Sequence, residues 1–236
     1  LKRETSVPSK TTGSTKTGNA TFNVNPGVLD HFAISAISSS QTAGTAITGV
    51  TLTAQDVNNN TVSSFVSTAT YSGTAGIKGT SSAFTGGVLS GVSVIPIIAG
   101  TGMTFTVTGS SKIGTASFNV NPGPLDHFAI SAISSPQTEG TAITGITLTA
   151  QDLNNNTVTS FTGTGNSVTY GGTAGITGNS AVFEAGQLTG VSVTPITLGS
   201  GRTFTVTNSE KLGTATFDVY NPVPFISNIS PNTKCA

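Results

Sequence analysis

Two short loops carry side chains whose type and spacing could bind a metal ion. They run D-V-N-N-N over Asp56–Asn60 and D-L-N-N-N over Asp152–Asn156, so oxygen-bearing side chains occupy positions 1, 3 and 5. Calcium loops of the EF-hand type use these positions but also require glycine at position 6 and glutamate at position 12. Position 6 is instead Thr61 or Thr157, and neither loop has the glutamate. With one carboxylate each, we interpret both loops as Asx turns that follow strands, and we predict no metal site.

Two Asp-His pairs, Asp30-His31 and Asp126-His127, contain the residue types of acid–base catalysis. They occupy equivalent positions in the two halves of the chain, and no G-x-S-x-G or similar nucleophile motif accompanies them. We therefore expect a structural role, with each histidine hydrogen-bonded or packed near the junction between units. We predict no catalytic and no cofactor-binding residues, and we expect that the protein is not an enzyme.

The remaining candidate residues give weaker indications of chemistry. Cys235 is the single cysteine, so it cannot form a disulfide within this chain. N-glycosylation sequons begin at Asn19, Asn59, Asn155 and Asn228, but chance matches are expected in a chain rich in Asn and Thr. Alternating threonines could form a sugar- or ice-binding face. We interpret them as the outward face of ordinary strands, because the chain has three Tyr and no Trp.

The composition excludes several classes of partner. The 236 residues include nine Lys plus Arg and nine Asp plus Glu, so the formal net charge is zero and only 8% of residues are charged. A neutral chain offers no basic surface for phosphate backbones, so we expect no nucleic-acid partner. No apolar run approaches the ~20 residues of a membrane-spanning helix. Hydrophobic residues make up 35% of the chain and lie in short patches, which favours a folded protein.

The sequence contains an internal repeat, which must be recognised before the fold is assigned. Residues 41–65 recur as residues 137–161, a step of 96 residues. Further along, Tyr71 recurs as Tyr170, a step of 99 residues. Three residues are therefore inserted around Thr162–Asn166. This stretch is rich in Gly, Thr and Asn, and it predicts a loop tip where insertions are tolerated.

Within one unit the hydrophobic period is two, as in T-F-T-V-T over residues 104–108. This alternation is typical of half-buried antiparallel strands, and no window has the spacing of a long amphipathic helix. About seven strands in roughly 96 residues predict an all-β fold of tandem immunoglobulin-like β-sandwiches. The predicted strands of the first unit lie near residues 29–37, 47–56, 61–71, 81–85, 88–98, 103–109 and 114–121.

The repeat boundaries divide the chain into two units with flanking segments. Between the units, the stretch N-P-G-P-L passes from the last strand of one to the first strand of the next with almost no slack, which predicts a short and stiff junction. We predict an N-terminal segment, a first and a second immunoglobulin-like repeat, and the start of a further domain or a C-terminal tail, at 1–26, 27–122, 123–221 and 222–236.

The N-terminal segment contains an additional copy of the last strand of a unit. Residues 16–27 match residues 112–123 and 211–222, whereas the preceding residues 7–12 lack the apolar alternation found at 103–108. The segment around residues 19–26 is therefore either the remnant of a preceding repeat or a donor strand that completes a sandwich in an adjacent subunit.

The phrases F-N-V-N-P-G-x-L-D-H-F-A-I-S and Q-T-x-G-T-A-I-T, followed by T-L-T-A-Q-D, resemble the tandem Ig-like repeats of large prokaryotic surface proteins. Invasin- and intimin-type adhesin stalks are the nearest broad group. The resemblance implies a secreted, surface-attached or filamentous protein whose units act as spacers or interaction modules. The final segment also resembles the opening of an IPT/TIG domain, with Pro224, Ile226, Ile229 and Pro231 in the expected pattern.

These observations predict a structural protein at the prokaryotic cell surface. The sequence has only Lys78 and Lys112 between residues 17 and 210, and lysine is one of the residues that keep strand edges apart. We therefore predict a stalk segment or subunit of an extracellular fibre that self-associates, by strand addition in one version, or that contacts another cell-surface protein. The alternative is a cell-adhesion protein: an adhesin or carbohydrate-binding module of a large secreted protein.

Overall fold

The computed structural model describes residues 11–13, 16–18 and 20–221, and every regular element in them is a β-strand. The chain divides into two compact units, Leu1–Asn121 and Pro122–Ala236. Each unit is a β-sandwich with its own hydrophobic core. The predicted all-β sandwich fold is therefore confirmed. The described residues include no helix long and apolar enough to cross a membrane.

The first unit contains a short N-terminal hairpin and a sandwich of two sheets. A five-stranded sheet has the order β4-β10-β9-β6-β7, and a three-stranded sheet has the order β3-β5-β8. All pairs are antiparallel except β4 with β10, which is parallel and aligns Gln41 with Val120. The strands are β1 (Thr11–Gly13), β2 (Lys16–Gly18), β3 (His31–Ile34), β4 (Gln41–Thr42), β5 (Ile47–Gln55), β6 (Thr70–Ser72), β7 (Gly79–Thr80), β8 (Val88–Val94), β9 (Gly100–Gly109) and β10 (Lys112–Asn121).

The second unit repeats the same two sheets. The orders are β12-β18-β17-β14-β15 and β11-β13-β16, and β12 is again parallel to the last strand, with Gln137 aligned with Val219. The strands are β11 (His127–Ile130), β12 (Gln137–Thr138), β13 (Ile143–Gln151), β14 (Thr169–Gly171), β15 (Gly178–Asn179), β16 (Gln187–Val193), β17 (Gly199–Asn208) and β18 (Lys211–Tyr220).

The period-two pattern places one face of each strand in the core, because successive side chains point to opposite faces of a sheet. Leu52 and Ala54 of β5 are fully buried, as are Phe105 and Val107 of β9 in the opposite sheet. The threonines between them are partly exposed. In the same core, Phe32, Phe65 and Phe84 form an aromatic cluster with ring centroids 5.0 to 5.7 Å apart.

Two predicted strands are wrong in part. Residues 61–69 are turns and irregular backbone, and the regular strand β6 begins only at Thr70. Residues 81–85 form a single bridge rather than a strand. The buried residues here are Val62, Phe65 and Ala69, spaced by three and four positions, so the chain turns between them instead of alternating across a sheet. With its two-residue strands included, the unit has eight strands between residues 31 and 121, where about seven were predicted.

The insertion in the second unit lies in a turn, as predicted. The N–H of Gly163 donates to Phe183 O over 2.9 Å, and the N–H of Asn166 donates to Gly163 O over 3.1 Å. The three additional residues therefore extend a surface turn and leave both sheets unchanged.

The sheet edges are protected by their geometry. Strands β4 and β7 have two residues each, and β3 has four. The longest edge strand, β8, is irregular in its pairing with β5, and Gly91 within it has a positive φ of 71°. Short and bulged edges resist pairing with other chains. The expectation that scarce lysines leave these edges open is therefore not supported.

Candidate functional site

The Asp56–Asn60 loop closes a tight turn at the end of β5. The N–H of Asn59 donates to Asp56 O over 2.9 Å, and the N–H of Asp56 donates to Asn60 O over 3.0 Å. Asn59 takes a left-handed conformation with φ of 63°, which asparagine tolerates better than most residues. The result is a turn that points the side chain of Asp56 back into the protein, where it is 2% exposed.

Both carboxylate oxygens of Asp56 accept hydrogen bonds from N–H groups. Oδ1 accepts from the backbone N–H groups of Asn58 and Asn60, each over 2.9 Å. Oδ2 accepts from the backbone N–H of Gly27 over 2.7 Å, across 29 residues of sequence. The side-chain amide of Asn60 donates to both oxygens, over 3.2 and 3.1 Å. We call this arrangement of Asp56, Asn60 and Gly27 the linker clamp, because it fastens the segment that leads into β3.

The second unit contains the same clamp. Asp152 is 1% exposed, and its Oδ2 accepts the N–H of Gly123 over 2.7 Å, again across 29 residues. Its Oδ1 accepts the N–H groups of Asn154 and Asn156, each over 2.9 Å. Each unit therefore uses its one buried aspartate to fix the first glycine of its own linker.

The clamp geometry suits anchoring of the backbone, because the carboxylate oxygens that could bind a metal ion already accept hydrogen bonds. The oxygens of Asp56 accept five hydrogen bonds from four nitrogen atoms, whereas a calcium site needs oxygens that converge on the ion. Within residues 11–13, 16–18 and 20–221, no three His, Cys, Asp or Glu side chains are grouped to hold a metal ion. The loops are Asx turns whose carboxylate serves the fold.

Hydrogen bonding lowers the pKa of the Asp56 carboxyl from its ordinary value of 3.8 to about 2. The N–H of Gly27 makes the largest contribution and the Asn60 amide the next, because donors stabilise the ionised form. In the second unit burial opposes ionisation of Asp152, but the donors from Asn156 and Gly123 outweigh it, so its pKa is also lowered.

This shift predicts acid-dependent loss of stability in the first unit. A carboxyl whose pKa is lower in the folded state than in the unfolded state stabilises the fold above the unfolded pKa. For Asp56 that contribution is complete above 3.8 and is lost as the pH falls through about 2. The urea midpoint of unfolding should therefore fall over this interval. Asp56→Asn should lower the midpoint near neutral pH and flatten the acid dependence.

The matched control for this measurement is Glu184→Gln, which removes an exposed carboxyl. It should leave the urea midpoint near neutral pH close to that of the wild type. An Asp56→Asn protein with the wild-type acid dependence would contradict the role given to the clamp.

The Asp30-His31 pair forms a local hydrogen-bonded chain at the surface. Nδ1 of His31 lies 3.1 Å from Oδ2 of Asp30, and Nε2 lies 3.1 Å from Oε1 of Gln55. The amide nitrogen of Gln55 donates to Asn59 O over 3.2 Å, so the chain ends on the clamp loop. The ring is oriented by its own unit, and its neighbours are acceptors and amides rather than a nucleophile.

The second pair repeats this arrangement. His127 lies 3.1 Å from Asp126 and 3.1 Å from Gln151, whose amide nitrogen donates to Asn155 O. Each pair forms its hydrogen bonds within its own unit and supports the loop that holds the buried aspartate. These contacts include no nucleophile and no second acid, either of which a catalytic Asp-His pair would need.

Several exposed threonine hydroxyls form hydrogen bonds with one another. Thr74 and Thr104 place their hydroxyl oxygens 3.1 Å apart, and Thr173 and Thr203 do so at 3.2 Å. These hydroxyls also accept backbone N–H groups of the partner residue. Thr74 and Thr173 lie in turns, so each pair fastens a turn to the neighbouring strand, β9 or β17. Within β9 and β17 the threonines between buried residues are partly exposed, as the sequence interpretation of an outward strand face predicts.

Two shallow clefts lie on the first unit. One, of about 330 Å³, is lined by Tyr71, Lys78 and Ile95. The other, of about 520 Å³, lies beside the linker and is lined by Leu29 and Phe65. Neither cleft is lined by a histidine or a carboxylate, and the Asp-His pairs lie outside both.

Comparison with known proteins does not assign a family. No protein-family model matches the chain, and no curated protein matches it. Among solved structures, domains 4–9 of the surface layer protein SbsC are similar at 22% identity and a TM-score of 0.32, over 88% of this chain and 33% of that one. A putative membrane-anchored protein from Corynebacterium diphtheriae is similar at 13% identity and a TM-score of 0.35, over 85% and 55%.

A β-glucuronidase of glycoside hydrolase family 2 is similar to the same extent, at 12% identity and a TM-score of 0.33, over 82% of this chain and 20% of that one. The chain thus spans about a third of the first of these structures and about half of the second. At these identities and TM-scores, the similarities assign no function to the chain.

The linker clamp is the feature that sequence reasoning missed. The loop was recognised, but its partner at Gly27 or Gly123 was not. A signal was present: the N-P-G motif precedes the D-x-N-x-N loop by the same number of residues in both units. The sequons at Asn59 and Asn155 lie in the exposed part of these loops. Asn19, Asn228, Cys235 and the segment 222–236 lie outside the described residues.

Proposed function

We propose that this chain is a structural segment of an extracellular fibre or stalk at the cell surface, built from tandem β-sandwich units. The observation that carries the proposal is the repeated linker clamp. Gly27 is fixed to Asp56 and Gly123 to Asp152 with the same 2.7 Å hydrogen bond. Both units have their own hydrophobic core and the same clamp on the segment that enters them. A repeated unit that acts as a spacer needs these two features.

The connection between units contains almost no free chain. Strand β10 ends at Asn121, and Gly123 is already held by Asp152. Pro122 is the one residue between them, and its ring restricts φ. A junction of this kind limits slack along the polypeptide, in contrast to a flexible tether.

Each unit also joins its first and last parts directly. β4 and β10 are parallel, and the N–H of Ala43 donates to Asn121 O over 2.9 Å. Ser39 Oγ accepts from the N–H of Asn119 over 3.1 Å. Tension along the chain would pull these parallel segments in opposite directions and load their hydrogen bonds in shear, where they must break together. We infer that this contact resists extension.

Single-molecule extension of the chain between two handles tests the mechanical part of the proposal. We expect two unfolding events, each adding roughly 30 nm of contour length from about 3.5 Å per residue. Ser39→Ala should lower the unfolding force of one event and leave the other unchanged. Ser135→Ala is the matched variant, because Ser135 Oγ accepts the N–H of Asp218 over 3.0 Å in the second unit. Equal forces in wild type and both variants would contradict the inferred load path.

The cellular part of the proposal requires the native organism. Antibodies raised against the chain should label intact cells and extended structures seen by negative-stain microscopy, whereas antibodies against a cytosolic protein should label neither. Labelling only after lysis would contradict a surface location. Saturable binding of one unit on a glycan array would instead favour an adhesin or carbohydrate-binding module.

A further inference from the structure

We propose that residues 16–25 are a donor strand, which inserts into a β-sandwich of this repeat type that lacks its own closing strand. The partner is a unit with an unfilled groove on a neighbouring chain of the fibre, so this inference rests on the proposed function. The inserted strand would occupy the position that β10 occupies in the first unit and β18 in the second.

The donor segment keeps the residues that a closing strand buries. Phe118 and Val120 of β10 are each 3% exposed, and Phe217 and Val219 of β18 are 2% and 0% exposed. The donor segment has Phe22 and Val24 at the equivalent positions. The glycine and alanine that precede them in the closing strands are also kept: Gly18 and Ala20 correspond to Gly114 and Ala116.

Among the described residues of the donor segment, 20–25 are exposed in this chain. Phe22 is 50% exposed and Val24 is 53% exposed. Within the described residues, 20–26 belong to no strand and form no ladder with another segment. The stretch 20–26 also has no charged side chain, so it could enter an apolar groove without burying a charge. Residues 20–26 therefore have the sequence pattern of a strand but pair with no other strand in the described part of the chain.

The hairpin upstream cannot supply that sheet. β1 and β2 pair Gly13 with Lys16, which is the register that pairs Gly109 with Lys112 between β9 and β10. The pairing of β1 with β2 thus has the same register as that of β9 with β10. However, the sequence before Gly13 has Ser9 and Thr11 at the positions of Phe105 and Val107, the two fully buried residues of β9. The partner must therefore provide its own β9-type strand.

The groove that fits the donor segment is defined by the neighbours of β10. One edge of β10 is antiparallel to β9, where Ala116 is opposite Phe105. The other edge is parallel to β4, where Val120 is opposite Gln41. An open groove would present unpaired backbone groups on both sides and the exposed face of the apolar core between them. Strand addition satisfies both at once.

Both described sandwiches already contain a closing strand, β10 or β18. An intact described unit of a second copy therefore has no open groove, and the partner must be a unit without this strand. This requirement distinguishes strand addition from general edge-to-edge association, which the short and bulged edges oppose.

The first experiment tests whether the donor segment fits the groove. In the full chain, residues 211–220 are replaced by the sequence of residues 16–25, K-T-G-N-A-T-F-N-V-N, which changes four positions. We expect the second unit to stay folded, with a melting temperature within about 5 °C of the wild type. The same chain with Phe217→Asp should lose that transition. Loss of the transition without the aspartate would overturn the proposal.

The second experiment tests transfer between chains. A protease site is inserted in the turn at Ser209 and Glu210 of the full chain, and the protein is cut after folding. Labelled peptide of residues 16–25 is then added under mild denaturant. We expect it to displace the cut strand and to be retained after removal of the denaturant, whereas a peptide with Phe22→Asp and Val24→Asp is not retained.

Peptide 211–220 is the positive control for an accessible groove. Retention of this peptide without retention of peptide 16–25 would overturn strand donation by residues 16–25. Because both experiments use purified protein, their outcome is independent of the surface labelling that tests the proposed function. If the surface assay fails and strand exchange succeeds, the proposed surface function is wrong but strand donation by residues 16–25 still holds.

Discussion

Gly114→Ala is expected to unfold the first unit at temperatures where the wild type is folded. An added Cβ at this position would overlap the carbonyl oxygen of Phe32 and would lie 2.7 Å from its carbonyl carbon. β10 passes so close to β3 that only a hydrogen atom fits, and backbone atoms cannot rotate away as a side chain can. We expect a loss of about 3 kcal/mol or more in the free energy of unfolding.

Calorimetry of the full chain measures this effect, since the second unit serves as an internal reference. One transition should fall by about 10 °C or more while the other remains. Gly213→Ala should produce the complementary result, because its Cβ would lie 2.8 Å from Cβ of Phe128. Gly102→Ala is the control: its φ is 62° but nothing lies within 4 Å, so only about 1 kcal/mol of backbone strain is expected. Equal effects at Gly114 and Gly102 would contradict the packing argument.

Phe84→Ala is expected to destabilise the first unit by about 3–5 kcal/mol, from lost burial and the cavity left behind. Phe84 is 2% exposed, and its ring lies 5.0 Å from that of Phe65 and 5.7 Å from that of Phe32. The T-shaped contact with Phe65 adds to the loss. Because a domain is typically stable by about 5–15 kcal/mol, the variant retains a small margin at most.

Urea unfolding of the full chain measures the change, with Phe183→Ala as the equivalent variant in the second unit. Phe183 is 1% exposed and lies 5.0 Å from Phe161. Phe84→Leu keeps most of the apolar volume and should cost much less than Phe84→Ala. If Phe84→Ala lowered the free energy of unfolding no more than Phe84→Leu does, the packing of Phe84 in the aromatic cluster would not contribute to stability as argued.

The two variants show different limits of sequence-based prediction. The alternation of Phe105 and Val107 with threonines predicts β9 because it is a local pattern with one buried face. The same rule fails for Phe65 and Phe84, which lie in the parts of the predicted strands 61–71 and 81–85 that are not regular strands. They are buried from turns, where burial follows the path of the chain rather than the period of a strand.

The donor segment shows a limit of a different kind. Its sequence matched β10, but a match alone left two alternatives for residues 19–26. The structure adds that Phe22 and Val24 are exposed and that β1 and β2 pair in the β9–β10 register. Together with the missing core residues in the sequence before Gly13, these observations favour donation to a partner that has its own β9-type strand.

By itself the sequence determined the repeat, the all-β sandwich class, the position of the insertion and most long strands. These follow from patterns within a few residues, because each side chain of a strand alternates between core and solvent. The tertiary structure alone decided the linker clamp between Gly27 and Asp56, the close approach of Gly114 to Phe32 and the irregular path of residues 61–69. Each depends on contacts between segments that meet only when the chain folds, so a pattern within a few neighbouring residues does not predict it.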